Sequence, residues 1–133
     1  MDKNVLIEKA FEAMKNAYAP YSNYHVGACI YTKDGKFIPG CNIENAAYGS
    51  TICAERCAVY GAYSNGYRKD DIIALAIVTD GKTLAYSCGA CRQVLSELLN
   101  PDTPIYLSNG KQEITTTPAE MLPFSFTPED LIK

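Results

Sequence analysis

The chain reads as an α/β protein: three layers, α/β/α, around a mixed sheet of about five strands. Three observations predict this. The periodicities run in the order helix, hairpin, helix, strand, helix, strand, strand, helix, an alternation that places helices on both faces of a sheet. A turn of Asp34-Gly35 between two strand-like runs marks an antiparallel hairpin. Residues 72–78 are uninterruptedly apolar, the pattern of a strand covered on both faces.

Taken in order, residues 4–18 carry apolar side chains at Ile7, Phe11, Met14 and Tyr18, one face of a helix that Pro20 would end. Residues 26–32 and 37–43 flank the hairpin turn. The polar stretch 44–51, with Gly49 inside it, is expected to be a loop feeding a helix that starts near Cys53 and stops at Asn65-Gly66. The apolar strand 72–78 is halted by Asp80-Gly81, and a further helix opens at Cys88 and runs to about Leu99, ahead of Pro101. Residues 105–107 and 113–115, separated by Asn109-Gly110, predict a last strand pair. Thr117-Pro118-Ala119-Glu120 then has the form of a capping box with proline at the first helical position.

With 133 residues, the whole chain, 1–133, is expected to be a single domain, without repeats or linkers. The net charge of −3 offers no electrostatic reason to bind a nucleic-acid backbone, so a small or neutral ligand fits better. The N-terminal residues carry acid at once and lack the uncharged core of a secretory signal, and no apolar run approaches the ~20 residues that cross a bilayer. A cytoplasmic protein is expected. Six cysteines in such a chain favour metal binding or catalysis over disulfides.

Two short stretches carry the chemistry. Cys88 and Cys91 are spaced for two thiolates on one metal ion; Cys53 adds a third, and Glu55 stands two residues beyond it. Three protein ligands on a tetrahedral zinc leave a position open for water, the mark of a catalytic site. Cys53 and Cys88 both fall at expected helix starts, where free N–H groups stabilise thiolate. Three thiolates leave a site of net charge −1, and Arg56 beside them is expected to hydrogen-bond ligand sulfurs and restore Lewis acidity. Glu55 is better suited to carry protons than to bind metal.

Other readings share the cysteine spacing. Cys53, Cys57, Cys88 and Cys91 would make a closed, structural four-cysteine zinc, and Cys88 with Cys91 alone would make a redox dithiol. Neither accounts for Glu55-Arg56 or for the polar run Asn42-Ile43-Glu44-Asn45. Cys29, Cys41 and Cys57 are expected to behave as small buried hydrophobes, and the single His25 to be structural.

These residues resemble the small, homotetrameric, zinc-dependent cytidine deaminases. The resemblance runs through residues 21–28 (YSNYHVGA), 40–48 (GCNIENAAY), 53–56 (CAER), 88–94 (CGACRQV) and 122–126 (LPFSF). It implies the cytidine deaminase-like fold, Zn²⁺ on Cys53, Cys88 and Cys91, and Glu55 as proton shuttle in the hydrolytic deamination of cytidine and 2′-deoxycytidine in pyrimidine salvage. Asn42 and Glu44 would bind the sugar 3′-hydroxyl. There a buried carboxylate would discriminate by being left desolvated when its partner is missing. Tyr24 and Ala54 would contact substrate, and Tyr48 and Phe126 match positions that complete a neighbour's pocket in the tetramer. Departures are Ser87, where the family usually has proline, Tyr24 in place of phenylalanine, and His25 in place of a frequent proline. Blasticidin S-type deaminases share much of the pattern but resemble the 42–45 loop less well.

Overall fold

In the computed structural model, which describes residues 1–131, five strands form one sheet in the order β2-β1-β3-β4-β5. The strands are β1 (Val26–Thr32), β2 (Phe37–Cys41), β3 (Ile72–Thr79), β4 (Ile105–Ser108) and β5 (Glu113–Thr116). The hairpin turn is where it was expected, with Gly35 at φ 86° supplying a backbone conformation that side chains resist. Only β3 and β4 run parallel. The connection between them contains α3 (Gly89–Leu98), since parallel neighbours need a crossover. The other pairs are antiparallel, so the sheet is mixed.

Helix α1 (Lys3–Met14) covers one face of this sheet, burying Leu6, Ile7 and Ala10 with Cys29, Ala74, Ala76 and Val78. On the opposite face lie α2 (Ala54–Ser64), α3 and the single-turn α4 (Pro118–Met121), over Ala28, Ile30, Leu75, Ile77, Ile105 and Leu107. β3 contributes residues to both layers, which is why residues 72–78 are apolar throughout. Its one exposed member, Ile73, precedes Leu75, where pairing with β4 begins.

Two glycines set how closely the layers approach. A Cβ on Gly27 would stand 2.1 Å from the Ala10 carbonyl of α1, and one on Gly40 would stand 2.5 Å from both the Ala54 carbonyl and the Ala58 amide of α2. The second contact fixes where α2 begins, and Cys53 caps that beginning.

Several boundaries differ from the sequence reading. α1 ends at Met14, and its buried row is Leu6, Ile7, Ala10 and Ala13, with Phe11 and Met14 at its margin. Tyr18 leaves the helix to bridge Ile43: its N–H donates to the Asn42 carbonyl (2.9 Å) and its carbonyl accepts from the Glu44 N–H (2.8 Å). Tertiary pairing there overrides helical propensity. For the same reason β2 stops at Cys41, and residues 42–44 become a short extended link. The 44–51 loop contains a 3₁₀ turn at Tyr48–Ser50. Thr117 accepts from the Glu120 N–H, but the Glu120 carboxylate meets the Thr117 hydroxyl and not its backbone amide, so half of the capping box forms. Cys29 is fully buried, whereas Cys41 and Cys57 are only half-buried, because both lie where α2 crosses the end of β2 rather than beneath it.

Candidate metal centre and active site

The starts of α2 and α3 converge behind the sheet's β1–β3 junction. Cys53 and Cys88 are the N-cap residues of the two helices, each with extended backbone, and Cys91 follows one turn into α3. Their Sγ atoms lie within 4.8 Å of one another. A zinc–sulfur bond is about 2.3 Å, so sulfurs sharing one ion stand at most about 4.6 Å apart. The donor set therefore fits zinc with little adjustment. Cys57 lies outside this cluster, although it is four residues from Cys53. Cys53 sits at the cap with ψ 154°, so the two cysteines do not share a helical row. That excludes the closed four-cysteine arrangement, and the third sulfur distinguishes the cluster from a dithiol.

Electrostatics at the cluster favour thiolate at Cys53. The Cys91 thiol hydrogen-bonds Cys53, and the Arg56 guanidinium joins it; together they lower the Cys53 pKa to about 5 against the opposing effect of burial. Cys91 moves the other way, holding the proton it shares with Cys53 in a buried position. The Cys91 N–H also points at Cys88 Sγ (3.5 Å). Arg56 Nη2 donates to Cys53 Sγ at 3.3 Å, the contact anticipated for this residue.

Glu55 occupies the first turn of α2 and is 5% exposed. Burial pushes its carboxyl above the usual carboxylate range, and the Ser87 hydroxyl, donating to Oε2 at 2.6 Å, opposes that push. A cavity of about 240 Å³ adjoins it, lined by Cys53, Ala54, Glu55 and Cys88 together with Tyr24, Asn42, Glu44 and Tyr48.

The structure brings most of the expected residues to this one space. Tyr48, expected to serve a neighbour's pocket, lines this chain's own cavity and meets Tyr21 edge-on with centroids 6.3 Å apart. Phe126 lies outside the cavity and 56% exposed, its carbonyl accepting from Gln93 Nε2 at 2.9 Å.

Asn42 and Glu44 are already engaged by the protein. Val26 N–H donates to Asn42 Oδ1 (2.9 Å), and Asn42 Nδ2 donates to the Tyr24 carbonyl (2.6 Å). Glu44 Oε1 accepts from the N–H groups of Tyr21 (2.9 Å) and Ser22 (3.0 Å), and Oε2 accepts from the Ser22 hydroxyl. These donors, the Ser22 hydroxyl foremost, hold the Glu44 carboxyl below its usual range. The expectation of a carboxylate orphaned without ligand is thus corrected: loop 21–22 satisfies it, and each side chain keeps only its residual lone pairs or amide proton for a ligand. Sequence reasoning missed Ser22 and Tyr86, which line the cavity, and the contact from Ser87 to Glu55. Their partners are distant in sequence, and no local pattern marks them.

Fold and site together define a metal-dependent hydrolase: a three-cysteine site at converging helix starts, a buried carboxylate beside it and a cavity sized for a small molecule. The model of the cytidine and deoxycytidylate deaminase zinc-binding region matches residues 1–107, and the chain belongs to that family. It is a zinc enzyme of that type. A cytidine deaminase of Halalkalibacterium halodurans is 51% identical over 134 residues, covering 98% of each chain. The crystal structure of cytidine deaminase from Burkholderia pseudomallei superposes with a TM-score of 0.91 at 44% identity, covering 95% of this chain and 100% of that one. A blasticidin-S deaminase of Bacillus cereus is 32% identical over 128 residues, covering 92% of this chain and 90% of the relative.

Proposed function

We propose that the protein hydrolyses the C4 amino group of cytidine and 2′-deoxycytidine, yielding uridine or 2′-deoxyuridine and ammonia. The observation that carries this reading is a buried carboxylate, Glu55, lining the same cavity as Cys53 and Cys88 of the three-sulfur cluster. Cys53, Cys88 and Cys91 would hold the zinc, which when bound supplies the Lewis acidity that activates water near neutral pH. Glu55 takes the proton released by the attacking water, delivers it to N3 of the base, and then assists departure of the amine. A group kept dry and raised in pKa is well matched to that exchange. Arg56 neutralises part of the thiolate charge through its bond to Cys53.

Tyr24 and Ala54 line the space for the base, and the residual capacity of Asn42 and Glu44 serves the sugar hydroxyl. The half-exposed Tyr48 and Phe126 support a homotetramer in which neighbouring chains complete one another's pockets. A single domain over the full chain, a place in cytoplasmic pyrimidine salvage and the absence of a nucleic-acid partner complete the reading. The charge of −3 supports the last, and among the described residues no helix is long and apolar enough to cross a membrane.

Similarity to a blasticidin-S deaminase supports one second reading, a related nucleoside antibiotic as substrate. Ultraviolet-monitored turnover of both compounds by wild type and Glu55→Gln tests both readings. Cytidine conversion by wild type alone supports the first. Conversion of blasticidin S but not cytidine replaces it with the second.

A further inference from the structure

Glu55 is held by a residue no part of the deaminase pattern explains. Ser87 Oγ donates to Glu55 Oε2 at 2.6 Å, and both residues are 5% exposed. That length falls in the range of a hydroxyl bonded to an ionised carboxylate, and water is excluded from both ends, which strengthens the contact. Ser87 is not among the residues lining the cavity, although its neighbours Tyr86 and Cys88 are.

The serine backbone is itself anchored. Arg92 Nε donates to the Ser87 carbonyl at 2.8 Å, and the same guanidinium, through Nη1, donates to the Met121 carbonyl at 2.9 Å. Arg92 thus ties the segment before α3 to α4. The hydroxyl is presented from a fixed support, not from a free loop. Among the described residues no other residue hydrogen-bonds the second carboxylate oxygen, Oε1.

On the reading that Glu55 carries protons in the proposed reaction, we infer that Ser87 is a positioning residue. Its hydroxyl pins Oε2 and leaves Oε1 as the oxygen that exchanges protons with water and base. A carboxylate on a two-torsion stem rotates about its last bond through a broad minimum, so one fixed oxygen converts a swinging group into an aimed one. Small misplacements of a reacting group carry large rate penalties. The serine acts through Glu55, and its effect is expected on turnover and not on ground-state binding.

The test compares zinc-loaded wild type, Ser87→Ala and Ser87→Thr, reading kcat and KM for cytidine, zinc per chain and melting temperature. Ser87→Ala is expected to lower kcat about tenfold, ~1.4 kcal/mol in the barrier, with KM and zinc content unchanged. Ser87→Thr, which keeps the donor, is expected to recover kcat to within about twofold of wild type. A kcat in Ser87→Ala within twofold of wild type overturns the inference. So does a loss shared with KM and zinc content, which marks a structural role. If Ser87→Ala does not fold, Ser87→Thr decides: a folded, fully zinc-loaded threonine variant that is tenfold slow overturns it. An inactive wild type would instead fail the deaminase reading itself, so the two failures are distinguishable.

Discussion

At the scale of single residues, the site divides labour between sulfur and oxygen. Cys53→Ser and Cys88→Ser are each expected to lose zinc and turnover together, since each removes one of the three proposed ligands. Glu55→Gln is expected to retain zinc while losing roughly 10²- to 10⁴-fold in kcat, the usual range for a lost proton carrier. Metal analysis beside steady-state kinetics checks both. Cys57→Ser, outside the cluster, is expected to keep full zinc, and the same metal analysis applies. Glu44 makes a pH prediction. Its folded carboxyl is depressed by the Ser22 hydroxyl and the two loop amides, so the stability it adds is fully present above its unfolded pKa near 4.5 and is lost as pH falls through the lower folded value. Melting temperature followed below pH 5 is expected to fall more gently in Glu44→Gln than in wild type.

At the scale of elements, the catalytic geometry depends on where α2 starts, and that depends on Gly40. A methyl group there would overlap the Ala54 carbonyl and the Ala58 amide, both backbone atoms that cannot rotate away. Gly40→Ala is expected to cost about 1–3 kcal/mol, as overpacking does, and to weaken zinc retention, because pushing α2 off the sheet carries Cys53 and Glu55 with it. Chemical denaturation and zinc titration against a chelator measure the two effects. The elements also show where a linear reading succeeds. The hairpin and β3 were legible because turn chemistry and an unbroken apolar run are local signals. The end of α1 was not: Tyr18 continues the apolar spacing of the helix, yet its backbone pairs with residues 42–44, a competition visible only when the chain is folded.

At the scale of the whole molecule, two helix starts from segments 35 residues apart, Cys53 and Cys88, meet over one sheet and form a single metal centre. The cavity they border is lined by the exposed rings of Tyr24 and Tyr48, aromatic surface that the proposed tetramer would cover. Sedimentation of the zinc-loaded protein is expected to show a particle near four times the 14.6 kDa chain mass. Dilution to monomer is expected to reduce cytidine turnover per chain if neighbours complete the pockets, and Phe126→Ala is expected to favour that dissociation.

The sequence by itself determined the α/β class, the order of strands and helices along the chain, and the candidate set of three cysteines with a carboxylate beside them, because ligand spacing, turn residues and apolar runs are written over a few neighbouring positions. Only the tertiary structure decided that Cys57 stands apart from the metal cluster, that Glu44 and Asn42 are satisfied by the loop they brace, and that Ser87 grips Glu55. Each of those depends on the direction of side chains brought together from distant segments. Packing sets those directions, and linear spacing does not encode them.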